Sequence, residues 1–139
     1  MRVEVESNMR SPPLTLLTSM NASCRDLFTC LYDLSQSDIN LLAILLKEKK
    51  PKTLDELAKM TDRDRGTVFR SLQKLVSLGF CTKQTMTIRE GGYYHLYSAA
   101  DVKAIEKNTE QRVTEIQRSL DALMKKFRSD IKQMTASHS

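Results

Sequence analysis

The chain has 139 residues, of which 40% are hydrophobic, and its formal net charge is +5. This length allows one compact domain with a sizeable core and an accessory element, and it argues against two full domains. The positive charge favours polyanions or acidic surfaces as partners. The longest apolar run, "LLAILL" at 41–46, is far shorter than the roughly 20 residues that span a bilayer. With no apolar signal core in "MRVEVESNMR", a cytoplasmic protein without a membrane partner is predicted.

The residues that carry most enzyme chemistry are few and scattered. Cys24, Cys30 and Cys81 form no Cys-x-x-Cys pair and match no metal-ligand spacing. The chain also lacks a phosphate-binding glycine loop and a nucleophile motif. We therefore expect no catalytic residues, no metal, no cofactor and no small-molecule ligand. The sequence predicts that the protein is not an enzyme.

Four segments are predicted in chain order. Residues 1–13 end in "SPP" and lack periodicity, which is typical of a flexible tail. Residues 14–36 carry apolar residues spaced three and four apart, which predicts an N-terminal helix. Residues 37–100 form the next unit. Residues 101–139 are predicted to be one long helix with a disordered end.

Two helices are predicted at the start of the third segment. Ser35 or Ser37 can cap a strongly apolar helix that ends before Pro51. Thr53 and Glu56 then form a Thr-x-x-Glu capping box. This box predicts the start of a short second helix.

A third helix and a hairpin are predicted to follow. Asp64 is placed to cap the helix in "TDRDRGTVFRSLQKL", and Gly79 is placed to end it. Val68 and Leu72 lie on one face at 100° per residue, which predicts a buried side and an opposite cationic side. After Gly79 the apolar period changes from 3.6 to 2 around Glu90 and two glycines, which predicts a β-hairpin.

The C-terminal helix is too long for a small domain to cover. Ser98 and Asp101 form a further capping box, and no glycine or proline follows up to about Met134. Such a helix would be about 50 Å long. Its apolar residues alternate spacings of three and four, which predicts a homodimer interface. The predicted dimerisation residues are Val113, Ile116, Leu120, Leu123 and Phe127.

The order of these elements resembles a winged helix-turn-helix. The stretch "TLDELAKMTDRDRGTVFRSLQKLVSLGFCTKQ" is similar to the core of winged-helix regulators of archaea and bacteria, and "GGYYHLYSAADVKAIEK" resembles the wing and following helix of the TrmB, Lrs-type and MarR groups. The resemblance covers residues 37–105. It implies a mainly α fold with a small β-hairpin wing and a long C-terminal dimerisation helix.

The resemblance also implies a function and a site. The helix that starts at Asp64 would enter the major groove of double-stranded DNA, and the wing would lie along the backbone or in a minor groove. The chain departs from the family pattern at Arg63, where an apolar residue usually precedes the helix cap, so this turn is expected either to be more exposed or to contact phosphate itself. The implied DNA contacts are Arg65, Gly66, Thr67, Arg70, Ser71 and Lys74 on the helix and Arg89 on the wing.

Charge supports this reading independently of the family. Five cationic residues and one carboxylate lie between Arg63 and Lys83. Arginine makes bidentate contacts to guanine, and hydroxyl groups reach base edges or phosphates. The sequence therefore predicts a sequence-specific transcription regulator that acts as a homodimer. A low-specificity architectural DNA-binding protein and a winged-helix module for protein contacts are the alternatives.

Overall fold

A computed structural model describes residues 13–136 of the chain. It contains six helices and two strands in this part. The elements are α1 (Pro13–Thr18), α2 (Cys24–Tyr32), α3 (Gln36–Lys47), α4 (Leu54–Thr61), α5 (Arg65–Ser77), β1 (Cys81–Thr87), β2 (Tyr93–Ala99) and α6 (Val102–Ala136). The predicted class, mainly α with a β-hairpin wing and a long C-terminal helix, is confirmed.

The chain divides into two compact units, and the division falls between Ala100 and Asp101. The first unit holds α1 to β2, and the second holds α6. No helix within residues 13–136 is both long enough and apolar enough to cross a membrane.

The N-terminal region differs from its prediction. Residues 14–36 contain two helices and the start of a third rather than one helix. The first helix ends at Thr18, and the second begins after its N-cap residue, Ser23. The Ser23 N–H donates to Asp26 Oδ2 at 2.8 Å, which fixes the start of α2. Of the predicted tail, residues 1–12 lie outside the described residues, and Pro13 opens α1, a position that suits its fixed φ. The predicted disordered end falls on residues 137–139, which are also outside them.

The N-cap residues of α3, α4 and α5 are among those that the sequence predicts. Ser35 rather than Ser37 caps α3. The Thr53 N–H donates to Glu56 Oε1 at 2.9 Å and the Glu56 N–H donates to Thr53 Oγ1 at 3.2 Å, so the predicted capping box is confirmed. Asp64 caps α5, as described below. These side chains satisfy N–H groups that the first helical turn leaves without partners.

The hairpin is an antiparallel pair in which Cys81 faces Ala99 and Thr87 faces Tyr93. Its turn contains Gly91 and Gly92, whose φ angles of 107° and 91° favour glycine. Lys52 adds a short bridge on the outer edge of β2. The Lys52 N–H donates to the Tyr97 carbonyl at 2.9 Å, and the Lys52 carbonyl accepts from the Tyr97 N–H at 2.7 Å.

The core of the first unit lies where α2, α3, α4, α5 and the hairpin meet. Phe80 is fully buried, and its ring lies 5.6 Å from the ring of Phe28 and 4.8 Å from that of Tyr32, in edge-to-face arrangements. The buried apolar residues of the first unit are Leu34, Ile39, Leu41, Leu42, Leu45, Leu57, Ala58, Val68, Leu72, Leu75, Phe80, Cys81 and Tyr97. This packing fixes which face of α5 points outward.

Candidate nucleic-acid interface

The first turn of α5 is held by a network around Asp64. Asp64 Oδ2 accepts from the Thr67 N–H at 3.1 Å, and Asp64 Oδ1 accepts from the Thr67 hydroxyl at 2.6 Å. Hydrogen bonds from the Thr67 hydroxyl and N–H lower the pKa of Asp64. Arg70 Nη2 donates to Thr67 Oγ1 at 3.4 Å. The Thr67 hydroxyl therefore has partners on both Asp64 and Arg70 within the same helix, and its contact with DNA stays a prediction.

The outward face of α5 carries Gly66, Arg70 and Gln73, and all three are exposed. A Cβ at Gly66 would lie 3.2 Å from Asp64 Oδ2 and 3.7 Å from Arg70 Nη1. A side chain there would crowd the Asp64 carboxylate that caps the helix, whereas its separation from the guanidinium is an ordinary contact. Gln73 shares this face because it lies three residues after Arg70.

The prediction that Ser71 contacts DNA is wrong. Ser71 is 7% exposed, and its hydroxyl donates to Asp38 Oδ1 at 2.5 Å. It lies three residues after Val68 and four before Leu75, so it shares the buried face of the helix. A serine in "FRSLQ" is predicted from the sequence to be a surface residue. Its burial depends on Asp38, a carboxylate from another helix that accepts its hydrogen bond.

Lys74 is also tied to the body of the unit. Its Nζ donates to the Asp33 carbonyl at 2.9 Å and to Asp38 Oδ2 at 3.0 Å, and its side chain is 41% exposed. Two of its three N–H donors thus link α5 to the residues around the start of α3. Contact of Lys74 with DNA stays a prediction, with one donor left for it.

The two arginines at the start of α5 are both exposed. Arg63 follows Asp62, whose φ of 54° ends α4, and its N–H donates to the Ala58 carbonyl at 3.1 Å. The turn is therefore tight, and the Arg63 side chain is left on its outside. Arg65 Nε lies 2.6 Å from Asp55 Oδ1 in α4.

The wing carries its cation at the tip. Arg89 is exposed between the two strands, in the turn closed by a hydrogen bond of 3.0 Å from the Ile88 N–H to the Gly92 carbonyl. Of the tyrosines in β2, Tyr97 is buried, whereas Tyr93 is 67% exposed. The wing thus presents both a guanidinium and an aromatic ring.

A groove separates α5 from the hairpin. Two cavities of about 240 and 260 Å³ lie along it, and Phe69 and Tyr97 line both. Phe69 is 39% exposed.

The remaining chemistry of the described chain is modest. Residues 13–136 contain no group of three or more side chains able to hold a metal ion. Burial raises the pKa of the Cys81 thiol to about 11, which leaves it an unreactive core residue at neutral pH.

Helix, short helix, turn, outward-facing helix and hairpin define the winged-helix fold. The family described as "Sugar-specific transcriptional regulator TrmB" matches residues 29–103, more than half of the chain, so the chain belongs to this family. Its members are transcriptional regulators and not enzymes, as the sequence predicted.

Individual relatives are archaeal. An uncharacterized protein of Methanocaldococcus jannaschii is 31% identical over 81 residues, which cover 58% of this chain and 61% of that relative. The chain therefore spans less than two thirds of that relative's length. A second uncharacterized protein of the same organism is 26% identical over 107 residues, covering 77% of this chain and 88% of the relative.

Two solved structures show the same fold. One is described as a "Possible transcriptional regulator from Methanosarcina mazei Go1". It has a TM-score of 0.70 at 22% identity and covers 78% of this chain and 93% of its own. The other, a protein from Sulfolobus tokodaii, has a TM-score of 0.57 at 24% identity and covers 69% and 93%.

Proposed function

We propose that the protein is a sequence-specific regulator of transcription that binds double-stranded DNA as a homodimer. In this proposal residues 37–100 bind DNA, with α5 in the major groove and the wing on the backbone or in a minor groove. Residues 101–139 form the dimer. The observation that carries the proposal is the outward face of α5, where Arg70 is exposed between Gly66 and Gln73.

The chemistry of this face suits base recognition. Arg70 can make two hydrogen bonds to guanine O6 and N7, and Gln73 can pair in the same way with adenine. Arg63 and Arg89 lie outside this face, on the turn and on the wing tip. These positions suit contacts with phosphates on either side of the groove.

The dimer is proposed from α6. Its 35 residues extend for about 52 Å at 1.5 Å per residue. Leu120, Leu123 and Phe127 are 52%, 59% and 51% exposed. An apolar stripe of this kind is stabilised when a second copy covers it. A two-fold dimer presents two copies of α5 to half-sites about 10 base pairs apart.

Footprinting on genomic DNA, followed by a salt series on the protected site and on random duplex, tests this function. Arg70→Ala should weaken binding to the protected site by about 1 to 3 kcal/mol and weaken binding to random DNA much less, because it removes a base contact. Fluorescence anisotropy at several salt concentrations measures both affinities.

Arg89→Ala is the matched comparison for this test. It removes a cation from the wing, so both affinities should fall by similar factors and the salt slope should shrink by about one unit. Equal losses on both DNAs for Arg70→Ala would favour a low-specificity architectural protein. Unchanged binding in both variants would mean that α5 is not the recognition helix and that its basic face is ordinary surface or a site for protein contacts.

A further inference from the structure

An ion pair joins the first turn of α4 to the first residue of α5. Arg65 Nε lies 2.6 Å from Asp55 Oδ1, and the two side chains are 67% and 68% exposed. Exposed pairs add little to the free energy of unfolding, because water screens the charges and two flexible side chains must be ordered. Stability alone therefore does not account for this contact.

The pair lies where three elements of the first unit converge. Asp55 and Arg65 both line the cavity of about 240 Å³ in the groove, together with Tyr93 and His95 of β2. Asp55 lies in the first turn of α4, between Thr53 and Glu56, whose capping box fixes the backbone of this turn. The carboxylate is thus held on a rigid element beside the helix that is proposed to read DNA.

The contact between the two side chains uses Nε of Arg65. Nε is on the side of the guanidinium, whereas Nη1 and Nη2 form the end that pairs with guanine O6 and N7. A side chain already held in one orientation loses less conformational freedom when it binds. The same carboxylate repels phosphate, so it weakens binding to DNA of any sequence.

We propose that Asp55 is a positioning residue that holds Arg65 for contact with a guanine in the major groove. The inference rests on the proposed function, since it requires that α5 enters that groove. Under this proposal α4, which carries Asp55, helps to determine which DNA sequence is preferred, in addition to packing against α5. Asp55 raises specificity by orienting Arg65, whereas the repulsion between its charge and the phosphates lowers the affinity for every sequence alike.

Asp55→Ala in the full chain tests the proposal. Affinity for the footprinted site should fall about two- to tenfold, while random duplex should be bound more tightly. In addition, the guanines of the site are replaced one at a time by 7-deazaguanine, which lacks the N7 acceptor. The parent should lose affinity at the guanine that Arg65 contacts, and both Arg65→Ala and Asp55→Ala should abolish the sensitivity at that guanine, while a guanine contacted by Arg70 should stay sensitive in both variants. Thermal melting verifies that each variant is folded.

Asp62→Asn is the matched control. It removes one exposed carboxylate from the turn between the same two helices, and asparagine tolerates the φ of 54° at this position. Both DNAs should then be bound more tightly by similar factors.

Two outcomes would overturn the inference in distinguishable ways. If Asp55→Ala behaves like Asp62→Asn and keeps the 7-deazaguanine profile of the parent, Asp55 is only a repulsive charge. That result leaves the proposed function intact. A parent protein that binds no duplex DNA overturns the proposed function, and this inference with it.

Discussion

Replacing Leu123 and Phe127 together by glutamate is expected to leave the protein monomeric and to lower its affinity for the operator by roughly 100-fold or more. Both side chains are more than half exposed on α6, where the proposed dimer buries them. Four buried carboxylates per dimer would carry a desolvation cost that the association cannot offset. Loss of the second DNA-binding unit removes the gain from two linked contacts. Sedimentation velocity and anisotropy measure the two effects.

Ala122→Glu is the matched control for this variant. It introduces the same charged side chain one residue away, about 100° around the helix from Leu123 and off the apolar stripe. The dimer and its DNA affinity should persist. A double variant that remains dimeric at micromolar concentration would place the interface elsewhere and would remove α6 from the proposal.

Asp38→Ala is expected to lower the free energy of unfolding by about 3 kcal/mol. Asp38 is 5% exposed and accepts hydrogen bonds from Ser71 at 2.5 Å, from the Ser35 N–H at 3.0 Å and from Lys74 at 3.0 Å. Truncation leaves the Ser71 hydroxyl and one N–H of Lys74 without their acceptor and creates a cavity. Urea denaturation measures the change.

Asp33→Asn is the control, because Asp33 is exposed and asparagine tolerates its φ of 55°. Its effect on the free energy of unfolding should stay within about 0.5 kcal/mol.

The same carboxylate predicts a dependence of stability on pH. Burial raises the pKa of Asp38, but the hydrogen bonds from Ser71, Ser35 and Lys74 outweigh it and hold this pKa below its ordinary value. The stabilisation is therefore complete above the ordinary pKa of about 3.9 and is lost as the pH falls through the lower pKa of the folded protein. The parent should lose more stability than Asp38→Ala between pH 5 and the acid transition. Parallel acid profiles for the two proteins would contradict this prediction.

Local chemistry determined most of the fold from the sequence alone. The caps at Thr53 and Asp64 depend on residues three positions apart, so they can be identified without knowledge of what packs on the helix. The change of apolar period after Gly79 marks the hairpin for the same reason. The outward position of Arg70 follows from the buried face that Val68 and its neighbours define.

Contacts between residues distant in the chain decided the rest. Residue type and helical position predict that Ser71 and Lys74 face DNA, and they give no sign that Asp38, 33 and 36 positions earlier, accepts hydrogen bonds from both. Arg65 likewise acquires its partner, Asp55, only when α4 packs beside α5. Periodicity reports which face of a helix is apolar. It cannot report which polar side chain on another element will meet that helix, because this depends on how the two helices pack in three dimensions.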